Sequence, residues 1–95
     1  MTISQIRKGR VVGVPCEIEP GPFDDEFLVM VDTATGPVSG FARSEFLRPP
    51  APGQGYIVAE IVEIGTDTVT VRLPGSFFTT AGIASVAAAG LHQAT

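Results

Sequence analysis

Few side chains in this 95-residue sequence could carry nucleophilic or acid–base chemistry. The sequence has one cysteine, Cys16, and one histidine, His92. A thiol and an imidazole can act together as nucleophile and base. His92, however, lies three residues from the last one, where a segment frays by default, and no third residue is evident to orient it. A catalytic Cys16–His92 pair is therefore not expected, and Cys16 is interpreted as a small buried hydrophobe.

The carboxylates offer a second kind of chemistry. Glu17 and Glu19 share one face of a predicted strand roughly 6.5–7 Å apart, which suits acid–base work or a metal, but a solvent-facing pair is the favoured interpretation. Asp24, Asp25 and Glu26 are consecutive, whereas Ca²⁺ needs six to eight oxygens at ordered spacing. The sequence therefore predicts no metal site and no cofactor, and it holds no glycine-rich phosphate loop.

The charge balance argues against nucleic acid as a partner. Ten acidic residues against six basic ones give a net charge of −4, whereas binding to phosphates requires lysine and arginine. Arg7, Lys8 and Arg10 lie close together and could contact an anion. The favoured interpretation is a solvated segment that leads into the first strand.

The apolar content excludes disorder. Hydrophobic residues make up 44% of the sequence and charged residues only 17%, against an average of about 25% charged. Disordered chains combine low hydrophobicity with high net charge. The sequence has no apolar run near the roughly 20 residues of a membrane span, and its start lacks the apolar core of a signal peptide. We expect a cytoplasmic protein without a membrane segment.

Eleven glycines and eight prolines divide the sequence into short segments rich in Val, Ile, Thr and Phe, the composition of β-strands. The first half predicts strands at 10–19, 26–32 and 38–43 and a helical turn at 44–47. Alternation in the first strand places Val12, Val14, Cys16 and Ile18 on one face, with Pro15 on the other, at an edge or bulge. In the second strand Phe27, Val29 and Val31 share a face, and Leu28 and Met30 occupy the opposite one.

The second half begins after a stiff Pro-rich linker at 49–53. It predicts strands at 56–64, 68–73 and 79–84, with a hairpin turn at 65–67 between the first two. Val69, Val71 and Leu73 alternate inward. The Ala-rich end at 85–93 has high helix propensity and predicts a short C-terminal helix.

The two halves resemble each other. A shift of 42 positions places Asp25 on Asp67, Phe27 on Val69, Val29 on Val71, Val31 on Leu73, Gly40 on Gly82, Phe41 on Ile83 and Ala42 on Ala84. A unit of about 40 residues rarely folds alone. The sequence therefore predicts one domain over 1–95, built from pseudo-repeats 8–48 and 54–92. The expected fold is an all-β small barrel or sandwich of about six short antiparallel strands, and a swap between chains is the alternative.

The run from Thr33 to Pro49 resembles the end of a Src-homology-three (SH3) barrel. That family often closes with a Thr-Gly turn, then Gly-aromatic-apolar, Ser, aromatic-apolar and Pro, which here are Thr35-Gly36, Gly40-Phe41-Ala42, Ser44, Phe46-Leu47 and Pro49. Lys8-Gly9 is similar to the family's Lys-Gly before a strand, so the resemblance covers about residues 8–50. It implies a small barrel. The sequence lacks tryptophan and the family's acidic-aromatic first loop, and Arg43 stands where a groove-lining Pro is usual.

Two groups of residues are candidates for binding. The resemblance implies a groove for a peptide or small ligand. Separately, the adjacent Phe77 and Phe78 of a predicted turn cannot both enter one core, so one of them is expected to meet a partner. The predicted ligand or partner residues are Phe27, Arg43, Glu45, Phe46, Phe77 and Phe78. The apolar outer faces of two strands predict a homo-oligomer interface, most simply in a dimer, at Leu28, Met30, Val58 and Val62.

We therefore expect a non-catalytic binding or assembly module that associates with itself and takes a protein segment or a small ligand. One alternative is an enzyme whose active site forms between barrels at an oligomer axis. Polar residues from several chains around that axis would distinguish it. A further alternative is a structural protein of a phage or mobile element.

Overall fold

A computed structural model describes residues 6–77 and 82–94, with the backbone alone at 76 and 77. Within these ranges the chain forms one antiparallel sheet of nine strands. Six strands have five residues or more: β1 (Val11–Pro20), β2 (Glu26–Thr33), β3 (Gly36–Arg43), β5 (Gly53–Ile64), β6 (Thr68–Arg72) and β8 (Ile83–Ala87). Three have two residues: β4 (Leu47–Arg48), β7 (Ser76–Phe77) and β9 (His92–Gln93). One-turn 3₁₀ helices occupy Ser44–Phe46 and Ala88–Gly90.

The strand order is β7-β3-β2-β1-β5-β6-β8, with β4 added to β5 and β9 added to β1. The sheet curls into a barrel-like shape, because the far end of β2 approaches β8. The amide of Ala34, just after β2, donates to the carbonyl of Ser85 over 2.9 Å. The prediction of an all-β fold with antiparallel strands is confirmed.

Alternation along each long strand builds the core on the concave face. Side chains two residues apart point to the same side of a strand, so every second residue enters the interior. The predicted inward residues of β1, β2 and β6 are all buried except Phe27, which is half-buried against the same core. The buried set is Val12, Val14, Cys16, Ile18, Val29, Val31, Val38, Ala42, Leu47, Ile57, Ala59, Ile61, Val69, Val71, Leu73, Ala84, Val86 and Leu91.

The prediction of a C-terminal helix is wrong. Residues 83–87 form β8, residues 88–90 a single 3₁₀ turn and residues 92–93 the strand β9. Ala84 and Val86 alternate into the core while β8 hydrogen-bonds along β6, so burial and ladder pairing override the helix propensity of alanine.

Several strand boundaries also differ from those predicted. β5 begins at Gly53, so residues 53–55 are strand rather than the end of a linker, because they pair with the end of β1 from Cys16 to Ile18. β8 begins at Ile83 and continues to Ala87, past the predicted end at 84. Residues 79–81 of that predicted strand lie outside the described residues.

Pro15 lies within the central strand β1, at a point where that strand pairs with β5 alone and so has a local edge. It lies opposite Tyr56 of β5, and on its other side the ladder between β1 and β2 has already ended at Glu17. Proline cannot donate a backbone hydrogen bond. This interruption of the ladder explains why it is accepted there.

Candidate functional site

Two clefts flank the central pair of strands, β1 and β5. β1 pairs with β2 from Glu17 to Pro20 and with β9 at Val12 and Gly13, so Val14–Cys16 pair with β5 alone. Cleft A opens at this interruption and has a volume of about 410 Å³. It is lined by Val14, Pro15, Cys16, Glu17, Met30, Asp32, Gln54, Val86, Ala87 and Gly90.

The second cleft opens at the matching interruption on β5. β5 pairs with β4 at Tyr56 and Ile57 and with β6 from Glu60 onward, which leaves Val58 and Ala59 paired with β1 alone. Cleft B has a volume of about 260 Å³. It is lined by Val11, Phe46, Val58, Ala59, Glu60, Arg72, Leu73 and Pro74.

The floor of cleft A is apolar, and its one thiol is unreactive. Val14, Cys16 and Val86 are buried core residues that also line the cleft. Burial disfavours the charged thiolate and raises the pKa of Cys16 from 9.0 to about 11. The thiol is therefore protonated at neutral pH and is a poor nucleophile.

The mouth of cleft A is acidic. Glu17 and Asp32 are both exposed, and the Gln54 amide donates to Oε1 of Glu17 over 3.1 Å, which holds that carboxylate in place. Met30 has 42% of its surface exposed beside them. Among the described residues no lysine, arginine or histidine lines the cleft. Its electrostatic potential therefore favours a cation.

Cleft B combines an apolar surface with one charge of each sign. Phe46 is half-buried and packs against the core, Val58 is half-buried, and Val11 is 48% exposed. Glu60 and Arg72 lie opposite each other on β5 and β6. Within the described ranges neither of the two forms an ion pair.

Cys16 and His92 do not form a catalytic pair. His92 lies opposite Gly13 on β1, three residues or about 10 Å along the strand from Cys16. Because three is an odd number, the two side chains also point to opposite faces. His92 instead stacks on Tyr56 with ring centroids 4.2 Å apart, and its Nε2 hydrogen-bonds the Tyr56 hydroxyl over 2.9 Å.

The predicted ligand residues fall into separate places. Phe27 is on the inner face of β2, and Phe46 lines cleft B. Arg43 is exposed and forms an ion pair with Asp25 over 3.3 Å, and its Nε lies 3.8 Å from Glu45. Arg43 therefore links Glu45 of the 3₁₀ turn to Asp25 in the loop before β2.

Of the two predicted phenylalanines, Phe77 alone lies within the described residues, and only its backbone is described. The backbone of Phe77 pairs with Gly40 at the edge of β3, and Phe78 lies outside the described residues.

The predicted interface residues also divide between the clefts. Met30 lines cleft A and Val58 lines cleft B. Leu28 and Val62 are half-buried, and Val62 lies at a bulge between β5 and β6. The structure thus joins one predicted ligand residue, Phe46, and one predicted interface residue, Val58, in the same cleft.

Sequence reasoning missed the charged and amide residues that give each cleft its character: Asp32, Gln54, Glu60 and Arg72. Gln54 meets Glu17 and Glu60 meets Arg72 only through strand pairing. The alternation of the sequence places these side chains on an outer face, but only the register says which of them are neighbours.

The described residues contain no cluster of three or more His, Cys, Asp or Glu side chains that could hold a metal ion. They also contain no helix of the length and apolarity needed to cross a bilayer. Comparison with known proteins gave no matching family model, no matching curated protein and no matching solved structure.

Proposed function

We propose that this protein is a non-catalytic assembly module, a small SH3-like barrel of two internal repeats that binds a second copy of itself through cleft B. One observation carries the proposal: cleft B presents an apolar surface with one carboxylate and one guanidinium, side by side and without ion-pair partners in the described ranges. The repeats and the self-association are supported separately.

Matching hydrogen bonds support the two repeats. Each 3₁₀ turn begins with an amide that donates to an aspartate carbonyl: Ser44 to Asp25 over 2.8 Å and Ala88 to Asp67 over 3.0 Å. Each turn also ends at a buried leucine, Leu47 or Leu91, whose amide donates back to the first carbonyl of the turn. Two turns of the same length with the same bonds are expected of copies of one unit.

The pairing register supports the same view and refines the offset. Ile18 lies opposite Val29, and Ile61 lies opposite Val71. The separation is thus 43 residues between β1 and β5 and 42 between β2 and β6. On the next strands, Val29 lies opposite Gly40 and Val71 lies opposite Ala84. The separation between β3 and β8 is therefore 44 residues, so Gly40 corresponds to Ala84 rather than Gly82.

The halves also exchange their ends. β4 follows the first half yet pairs with β5, and β9 follows the second half yet pairs with β1. Each half therefore completes the sheet of the other. This exchange favours a single domain in which neither half folds alone.

The SH3-like part of the proposal rests on the first half. The 3₁₀ turn at Ser44–Phe46 stands between β3 and the short strand β4, within the run of residues that carries the SH3 resemblance. Ser44 contributes its backbone amide there rather than a capping hydroxyl.

Self-complementarity favours a second copy as the occupant of cleft B. In a two-fold dimer the same patch meets itself, so each charge must find its opposite on the same patch. Across such an axis Glu60 of one copy can meet Arg72 of the other, while Val11, Val58 and Phe46 bury each other's apolar surface.

The oligomeric state tests this directly. Sedimentation velocity over a range of micromolar concentrations is expected to show a monomer–dimer equilibrium. Val58→Glu should give a monomer, because it places a charge in the buried centre of the interface. Met30→Glu in cleft A is the matched control and should leave the dimer intact.

Charge reversal tests the orientation. Glu60→Arg and Arg72→Glu should each weaken the dimer by about tenfold, because like charges then face across the axis, and the double reversal should restore it. A wild-type monomer at every concentration, or a dimer indifferent to all these changes, would overturn the proposal.

A further inference from the structure

Cleft A and cleft B differ at the third residue of the 3₁₀ turn that lines each of them. Phe46 is the third residue of the first 3₁₀ turn and projects into cleft B. Gly90 is the third residue of the second turn and lines cleft A. At this position cleft B has a phenyl ring and cleft A has only a glycine. The volume of cleft A is about 410 Å³ and that of cleft B about 260 Å³.

The two clefts also differ in the residue that lies opposite a glutamate of the central strand. Glu17 in cleft A and Glu60 in cleft B occupy matching places on β1 and β5. Glu60 lies opposite Arg72, whereas Glu17 lies opposite Met30. Cleft A has a second carboxylate in Asp32 and no cation among its described lining residues. Cleft B thus has the guanidinium of Arg72 beside its carboxylate, and the described lining of cleft A has no positive charge.

We propose that cleft A binds an organic cation, a protonated amine on an aliphatic stem. The ammonium group would lie between Glu17 and Asp32, and the stem would lie against Pro15, Met30 and Ala87, the exposed apolar residues of the lining. This site does not depend on self-association through cleft B.

The dimensions and chemistry agree with this occupant. Ligand clefts of about 300–1,000 Å³ are usual for small molecules, and their lining is mostly apolar with a few placed polar groups. The Gln54 amide donates to Oε1 of Glu17 over 3.1 Å, which favours one orientation of that exposed carboxylate. The flexible thioether of Met30 can adapt to the shape of a stem.

The experiment is a titration of isotope-labelled full-length protein with n-pentylammonium, followed by proton–nitrogen NMR. Saturable shifts are expected at the amides of Glu17, Met30 and Asp32. Three matched probes separate the contributions: n-pentanol keeps the stem without the charge, methylammonium keeps the charge without the stem, and pentanoate reverses the charge. Each should bind at least tenfold more weakly, because a charge-assisted contact and stem burial both contribute.

Variants locate the site. Glu17→Gln with Asp32→Asn should weaken n-pentylammonium binding by about tenfold, and Gly90→Phe should abolish it by filling the cleft as Phe46 fills the other. Glu60→Gln, the matching change in cleft B, is the control and should leave the affinity unchanged. Should Gly90→Phe fail to fold, the probe series on wild-type protein and the carboxylate variant still decide the question.

Two results would overturn the inference. One is equal binding of n-pentanol and n-pentylammonium, which would show that the carboxylates do not contribute. The other is binding that survives loss of both carboxylates or is lost in Glu60→Gln. A failed dimer test leaves this inference standing, since the titration reads cleft A alone.

Discussion

Cleft A and cleft B are framed by the same arrangement of strands, and they differ in what fills them. Each opens where a central strand loses its outer partner for two or three residues before a short strand resumes the ladder. Cleft B is lined by a ring and a cation, Phe46 and Arg72, whereas Gly90 and Met30 take those places in cleft A, which is larger and has Glu17 and Asp32 in its lining. Two clefts with the same backbone frame can thus differ in volume and charge through a few of their lining residues.

The largest effect is expected at the leucines that end the two 3₁₀ turns. Leu47→Ala should lower the free energy of unfolding by about 3 kcal/mol, because it leaves a cavity in the core. Leu91→Ala should cost less, since its segment ends in a two-residue strand and can detach without opening the rest. Urea unfolding of both variants measures the difference. An equal cost would mean that the second turn is as firmly part of the core as the first.

The thiol of cleft A has no counterpart in cleft B, where Ala59 occupies the corresponding position of β5. Since the pKa of Cys16 is raised from 9.0 to about 11, its thiolate fraction at pH 8 is lower by roughly 100-fold than that of an ordinary cysteine. Alkylation by iodoacetamide should be slower by at least that factor than in the urea-unfolded protein. Comparable rates in the two states would show that the floor of cleft A is open to water.

The same shift predicts a pH dependence of stability. The folded-state pKa lies above the unfolded one, so the stabilising contribution is complete below about pH 9 and is lost as the pH rises towards 11. The difference in unfolding free energy between wild type and Cys16→Ala should therefore change by about 2–3 kcal/mol across that window, against the wild type at high pH. A constant difference would contradict the burial of the thiol.

Substitutions at Phe46 and Gly90 test whether one ring accounts for the difference in volume between the two clefts. Phe46→Gly should lower the unfolding free energy by about 2 kcal/mol, because a half-buried ring leaves the core surface and a flexible residue enters the turn. Gly90→Ala should be nearly neutral, as its added methyl would meet Pro15 at an ordinary 3.4 Å. Thermal unfolding measures both. A loss below about 0.5 kcal/mol for Phe46→Gly would show that the ring does not fill cleft B.

The smallest effect is expected where the halves end. Tyr56→Phe removes the hydroxyl that bonds His92 and should cost about 0.5 kcal/mol, because the pair is exposed to water. Its consequence should be local: faster hydrogen exchange at Gly13 and Gln93, the residues of the β1–β9 ladder. Arg48→Ala at the other short strand is the comparison, since the Arg48 side chain donates to the nearby carbonyls of Glu45 and Leu47 and, within the described ranges, to no residue of another strand. Unchanged exchange in Tyr56→Phe would mean that the ladder alone holds β9.

Much of the fold could be predicted because strand periodicity is a local property. The alternation of Val12, Val14, Cys16 and Ile18 was enough to assign the inner face of β1, and the same held for Val69 and Val71 in β6. The C-terminal segment could not be predicted in the same way. Its alanines favour a helix in isolation, and only the ladder offered by β6 makes a strand the better use of residues 83–87.

The sequence identified some of the residues that line the clefts, but not which of them are neighbours. By itself it identified Val58 as an outward apolar residue and Cys16 as an inward one, because these follow from residue type and alternation, and the SH3 resemblance singled out Phe46. Only the tertiary structure decided that Phe46 and Val58 share a cleft and that Glu17 stands opposite Met30 while Glu60 stands opposite Arg72. Those neighbours depend on register between strands far apart in the chain, which is set by turn lengths and core packing together and is not written in any one segment.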